Sequence, residues 1–364
     1  MSVPQTNSEL TTLTPLKIGL LGNGFILDTF HVPVLRNLGQ SVELTAVAGR
    51  DPGKVEMFRK RWGIRTGYSG EDCIEELCSN PEVDIVIVAL PNYLHLKAIQ
   101  SAAENHKHVI CEKPLARNAK EALDALNVVQ RYGVIHCYAE NQLFIPQVVK
   151  SRQLIRDGAL GKLTGVRSRE AHSGPHSAWF YDAEKAGGGV LLDMGCHSIE
   201  TARNLIGSKP VAVDAWCATL QHKIAIEDNS LVLVKYEGEC IAQCENSWTT
   251  KGGLDIRLEI YGTEGSIFID VTRETGMRLF TTGKGKGVGY IIEKADQTAG
   301  WLFPLTSEAY TYGYFDEFSY FLQTIRSGER PFETFQDGYV VNQIMDEAYK
   351  SARDANKWST LKLN

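Results

Sequence analysis

Leu16-Lys17-Ile18-Gly19-Leu20-Leu21-Gly22-Asn23-Gly24-Phe25-Ile26-Leu27 follows a polar tail over residues 1–15 and begins the patterned part of the sequence. Leu16 to Leu21 reads as a short buried strand, and a helical pattern runs on from Phe25 to Leu38. Between them, Gly22 allows a tight turn and Gly24 leaves room for a pyrophosphate against the backbone at a helix N-terminus. Phe25 and Ile26, the first residues of that helix, belong to the same contact region. A third glycine would complete the dinucleotide fingerprint, but Leu27 stands there. Two glycines after a strand are a weak signal by themselves, so the surrounding stretches must decide.

Moving outward, Val42 to Ala48 reads as the next strand and ends on Gly49-Arg50-Asp51. At this strand end an acid would hold a ribose 2′-hydroxyl and an arginine a 2′-phosphate. Arg50 leans towards NADP, Asp51 keeps NAD open, and Asp51-Pro52-Gly53 also suits a plain turn. Helical patterns cover Lys54–Trp62 and Asp72–Cys78. Val83–Leu90 is a continuous apolar run of the kind buried in parallel sheets. Its end carries Pro91-Asn92-Tyr93-Leu94-His95, which opens a helix to Ala103. Pro91, Asn92 and His95 are candidate cofactor contacts, although Asn92 also suits an N-cap and His95 an ordinary surface histidine.

Lys107-His108-Val109-Ile110-Cys111-Glu112-Lys113-Pro114 is a strand stopped by its proline. In an open α/β sheet, ligands sit outside the carboxyl ends of strands, which aims Glu112 and Lys113 at a ligand. A helix from Ala119 to Tyr132 and a strand near Val134–Ala139 complete a strand–helix alternation. Residues 16–140 are therefore expected to form a doubly wound parallel sheet.

The grammar changes in the second half. A helix-like segment spans Asn141–Ile155, and β-runs then follow at Leu163–Arg169, Val211–Leu220, Ser230–Tyr236, Ile241–Trp248, Ile256–Tyr261 and Ser266–Asp270. Hairpin turns at Glu237-Gly238-Glu239 and Gly262-Thr263-Glu264-Gly265 make this a mostly antiparallel open sheet in an α+β domain over 141–364. Two helical apolar stripes, around Phe318 and around Ile344, read as core.

One stretch interrupts that pattern: Gly187-Gly188-Gly189-Val190-Leu191-Leu192-Asp193-Met194-Gly195-Cys196-His197. Asp193 and His197 lie four apart, so within one helix they would share a face, and the carboxylate would steady the imidazole for acid/base work. The plainer roles are a cap and a packing histidine. His172 and His176 raise a metal question, but Ser173-Gly174-Pro175 breaks any helix between them. The expectation is no metal, with His176 and Trp179 lining a pocket beside Tyr181.

Composition bounds the rest. The 364 residues are 43% hydrophobic and 23% charged, with net charge −6 and no basic excess for nucleic acid or an anionic membrane. Eight scattered cysteines without a Cys-x-x-Cys pair suit reduced thiols. No signal peptide is evident, and the longest apolar run, Ile85–Leu90, is too short to span a bilayer. The expected location is cytoplasmic.

Glu112-Lys113-Pro114 and Gly188-Gly189 through Asp193-x-Gly195-x-His197, supported by Gly22-x-Gly24 and Pro91-Asn92, resemble the Gfo/Idh/MocA oxidoreductases. The resemblance runs from Lys17 to the final helix. It implies a Rossmann domain, a C-terminal domain whose open sheet often forms an oligomer interface, and hydride transfer between NAD or NADP and a hydroxyl-bearing carbon of a sugar, polyol or glycoside. By motif, Lys113 would bind the reacting oxygen with a lowered pKa, and Asp193 and His197 would be the acid/base set; all three would touch substrate. Two departures stand out: Leu27 in the fingerprint, and Leu143 where many members carry an arginine. Alternatives are an enzyme that keeps its nicotinamide and cycles hydride between two carbohydrates, and a non-catalytic nucleotide-binding sensor. A homo-oligomer is expected.

Overall fold

In the computed structural model, residues 14–175, 177–274, 276–283, 299–354 and 358–362 are described. Six parallel strands form the first sheet: β1 (Leu16–Leu21), β2 (Val42–Gly49), β3 (Thr66–Ser69), β4 (Ile85–Val88), β5 (His108–Glu112) and β6 (His136–Ala139). Their order is β3-β2-β1-β4-β5-β6, so strand order reverses between β1 and β4. A crevice at that reversal, outside the carboxyl ends, is where this architecture binds ligands. The four residues of β4 are fully buried, as their unbroken apolar sequence requires. Asp51 caps the helix Pro52–Trp62, accepting from the Lys54 N–H at 3.0 Å. After Gly24 the chain makes one wide π-turn, Leu27–His31, before the α-helix Val32–Asn37.

The second sheet contains β7 (Leu163–Ala171), β8 (Pro210–Ala218), β9 (Asn229–Tyr236), β10 (Ile241–Ser247), β11 (Asp255–Gly262) and β12 (Ser266–Asp270). They lie in the order β12-β11-β7-β10-β9-β8, and Ser359–Thr360 adds a short edge strand to β8. Only β7 and β10 pair in parallel; the other pairs are antiparallel. Residues alternate strictly along β9: Val232, Val234 and Tyr236 are buried, while Leu231, Leu233 and Lys235 are partly exposed on the other face. The buried face of the sheet packs, through β7 and β10, against the helix Gly195–Ile206. The outer face carries Trp216 and Ile241 together with an Arg167–Glu259 ion pair.

Glycines at 187–189 let the chain lie flat on its neighbours. A Cβ on Gly189 would sit 2.0 Å from the Glu227 carbonyl oxygen, and Glu227 accepts from the N–H groups of Gly189 and Leu191. The last long helix, Phe335–Arg353, returns to the first sheet. Phe335 and Tyr339 join its core, Asn342 donates to Ala116 O, and Asp346 accepts from the Ala119 N–H. All eight cysteines are free thiols. Among the described residues, no helix is long and apolar enough to cross a membrane.

Candidate active site

A cleft of about 640 Å³ opens at the carboxyl ends of the parallel strands and is closed from the other side by β7, β11 and the segments before and after the glycine run. Gly22 has φ of +115°, and a Cβ there would lie 2.3 Å from Ala89 O, so only glycine fits the turn. At Gly24 a Cβ would meet nothing within 4 Å. Gly22, Gly24, Phe25 and Ile26 all line the cleft. This open glycine cradle at a helix start suits the pyrophosphate of a dinucleotide. Towards the other end, Arg50 leaves β2 and donates to the Tyr93 hydroxyl at 2.8 Å.

Pro91 and Asn92 also line the cleft. Asn92 is no cap: its buried Nδ2 donates to Ala186 O at 2.8 Å, tying the end of β4 to the chain just before the glycine run. His95 is not among the cleft residues. Its Nε2 lies 2.8 Å from Leu90 O and its Nδ1 faces Pro114 O at 3.0 Å, so it brackets the ends of β4 and β5, and burial pushes its pKa down. The helix it opens turns its ring inwards, which a surface histidine or a direct contact would not require.

Lys113, at the end of β5, reaches across to the second half. Its Nζ donates to Asp193 O at 3.0 Å and meets Asp193 Oδ1 at 3.3 Å. The other oxygen of Asp193, Oδ2, accepts from the Trp248 indole at 3.0 Å, with His172 Nε2 at 3.9 Å. Burial alone pushes the Lys113 ammonium down, but Asp193, aided by Cys196, Glu112 and Glu140, pulls it well above the ordinary lysine value. The expected lowering is therefore overturned by the carboxylates that the fold gathers around the amine.

Asp193 and His197 stand in two successive helical segments, and both line the cleft. The turn Val190–Asp193 stops at Met194, and a new helix begins at Gly195. His197 Nδ1 instead lies 2.6 Å from Oε1 of Glu140, a fully buried carboxylate just beyond β6. The sequence reading missed Glu140, yet its position has the same logic as Glu112-Lys113: a charge at the carboxyl end of a parallel strand. Trp248, at the end of β10, carries no comparable local signal.

Trp179 stacks on Phe180 with ring centroids 3.8 Å apart, and both line the cleft. Tyr181 packs edge-on to Trp248. His176 lies outside the described residues. Leu143 is fully buried, so it offers the cleft no polar group. Among the described residues, two trios have metal-ligand atoms within 4.8 Å of one another, Glu140–Cys196–His197 and Glu200–Glu333–Asp337. In the first, histidine and carboxylate are bonded together and the thiol donates to Asp193 O; in the second, Arg203 bridges Glu200 and Asp337.

Known proteins share this fold. Residues 16–140 match the oxidoreductase family with an NAD-binding Rossmann fold, and residues 148–268 match the GFO/IDH/MocA C-terminal domain. The chain belongs to the GFO/IDH/MocA family of oxidoreductases. It is 26% identical to myo-inositol 2-dehydrogenase of Thermotoga maritima, covering 93% of this chain and 97% of that one. It is 32% identical to 1,5-anhydro-D-fructose reductase of Ensifer adhaerens over 68% of this chain and 74% of that protein. Among solved structures, GenD2 from gentamicin A biosynthesis, in complex with NAD, superposes with a TM-score of 0.90 at 26% identity over 100% of both chains.

Proposed function

We propose that this protein is an NAD(P)-dependent dehydrogenase or reductase acting on a hydroxyl-bearing carbon of a sugar, polyol or glycoside. Residues 16–140 hold the dinucleotide and residues 141–364 form most of the substrate pocket. The observation that carries this reading is the meeting of Lys113, Asp193 and the His197–Glu140 pair beside one glycine-cradled cleft. The kinship with sugar and polyol dehydrogenases supports it.

A bound nicotinamide supplies the hydride acceptor or donor. Around it, the protein handles the oxygen and the proton. Lys113, kept cationic by Asp193, donates to the reacting oxygen and steadies negative charge as it develops there. The contact between Nδ1 and Glu140 fixes the His197 ring and leaves Nε2 to take the hydroxyl proton in oxidation or return it in reduction. Asp193 orients Lys113 rather than the imidazole, and Trp248 holds Asp193. Trp179 offers a face for the apolar side of a sugar ring.

Arg50 leans the cofactor choice towards NADP, because a guanidinium can pair with a 2′-phosphate. The outer face of the second sheet, with Trp216, Leu231 and Leu233, is where a second subunit would pack. Eight free thiols suit a reducing, cytoplasmic setting. The test is a panel of inositols, anhydrosugars, aldoses and glycosides with NAD and with NADP, read by the absorbance of the reduced nicotinamide. Turnover of a cyclic polyol or sugar is expected. Tight nicotinamide binding without oxidation or reduction of any compound would contradict the reading.

A further inference from the structure

At the wall of the cleft, Glu112, which lines it, pairs with His31 behind it, and neither has a role in the chemistry above. His31 ends the π-turn that follows the glycine cradle and is 1% exposed; its Nε2 lies 2.8 Å from Glu112 Oε1. The other oxygen of Glu112, Oε2, accepts from the Lys113 backbone N–H at 3.1 Å. The imidazole is wedged in place by aromatic rings from the second half: Phe318 edge-on at 4.8 Å between centroids, and Tyr314 at 5.8 Å. A wide turn that inserts an extra residue into a helix is a common device at functional sites, and here it turns His31 inwards to the end of β5.

We propose that His31 is a positioning residue for Lys113: from the turn behind the glycine cradle it holds Glu112 in place, and Glu112 fixes Lys113 at the end of β5. The proposal rests on Lys113 being the residue that meets the reacting oxygen. It gives the cofactor cradle and the catalytic lysine one shared support, carried by two contacts of 2.8 and 3.1 Å.

The local electrostatics agree. Glu112 faces His31, Lys113 and, from the helix Tyr314–Ser327, Glu317. Burial pushes both acids up, but His31 and Lys113 bring Glu112 below the usual carboxylate value. Glu317 has both oxygens without a hydrogen-bond partner and stays well above that value, with Glu112 and Glu140 adding to the rise. Of two neighbouring buried acids, the one beside the imidazole is held as the carboxylate. Lys113 in turn faces Asp193, Cys196, Glu112 and Glu140. Without the imidazole, Glu112 takes up a proton more readily, and Lys113 loses one of the negative charges that keep it cationic.

The experiment compares wild type, His31→Ala, His31→Gln and Glu112→Gln in the full chain. Acetic anhydride labels Lys113 across a pH series, with the labelled peptide counted by mass spectrometry. In parallel, kcat and the KM for the nicotinamide are measured on the best substrate of the panel. His31→Ala should shift Lys113 labelling to lower pH and reduce kcat by about 10–100-fold, with a smaller change in KM, as for a misplaced reacting group. His31→Gln, whose amide can donate to Glu112 from the same position, should restore most of both. Glu112→Gln should shift labelling the same way, and it carries the test alone if His31→Ala does not fold. An unmoved labelling profile in His31→Ala or Glu112→Gln would overturn the proposal, whatever happens to turnover. If wild type turns over no compound in the panel, the labelling profile still decides the role of His31, separately from the function proposed above.

Discussion

The two walls of the cleft were built by different rules. On the Rossmann side, Gly22, Gly24, Glu112 and Lys113 sit where a strand ends, and their placement follows from sheet topology. On the opposite side, Asp193, His197 and Trp248 come from a short turn, a helix start and a strand end. Partners there are chosen by where the chain breaks. Because the turn stops at Met194, Asp193 faces Lys113 and Trp248, and His197 faces back to Glu140 on the Rossmann side. Each wall therefore completes the other's polar pair, which is a stronger constraint than either motif expresses alone.

The largest effect should come from Lys113→Ala, which removes the side chain that reaches from the Rossmann wall to Asp193. We expect kcat/KM to fall by more than about 10⁴, in both kcat and substrate KM, while the Kd for the nicotinamide stays close to wild type. A loss confined to KM would reduce Lys113 to a binding contact. His197→Ala should cost about 10²–10⁴ in single-turnover hydride transfer, and Glu140→Gln should be nearly as damaging, although the sequence never marked it. Normal transfer in Glu140→Gln would separate the walls again.

Next in size is the seam between the halves at His136. Its Nδ1 accepts from the Phe335 N–H at 3.2 Å, and burial, with Arg330 nearby, holds its pKa down to about 4. The folded protein thus keeps this ring neutral while the unfolded chain takes up a proton below about 6.5. This contribution is complete above the unfolded value and is lost as pH falls from there through about 4, by at most about 3 kcal/mol. Urea unfolding across that window should show a flatter pH dependence for His136→Asn than for wild type. Equal slopes would remove His136 from the account.

Smaller effects sharpen each wall. Arg50→Ala should weaken NADP binding about tenfold while leaving NAD nearly unchanged, read by titration calorimetry. Equal changes would mean that Arg50 serves only Tyr93. Trp248→Phe keeps the ring but removes the N–H to Asp193, and should lower kcat/KM by about 1–2 kcal/mol. No change would remove Trp248 from the support of Asp193.

The sequence made the first wall legible because strand, glycine turn and helix are local signals, and a charge after a strand has a topologically fixed address. Even the missing third glycine cost nothing: Leu27 is buried in the core beside Gly22 and does not line the cleft. His95 misled because a position near a strand end does not reveal which way a ring turns. The Asp193–His197 spacing misled for a sharper reason, since an i,i+4 spacing brings two residues to one site without pairing them, and each is bonded elsewhere. Glu140 could have been found by the rule that found Lys113. Trp248 could not, because its contact depends on the pairing of β7, β9 and β10 rather than on its neighbours in sequence.

The central claim is that His197 works with Glu140 while Asp193 works with Lys113. It is tested most directly by two double-mutant cycles on single-turnover hydride transfer, using the best substrate of the panel and saturating cofactor. One cycle combines His197→Ala with Glu140→Gln, and the other combines His197→Ala with Asp193→Asn. The account predicts strong coupling in the first, the double variant being hardly slower than His197→Ala, and near-additive losses in the second. Additivity in the first cycle with strong coupling in the second would contradict it, restoring Asp193 as the partner of the imidazole.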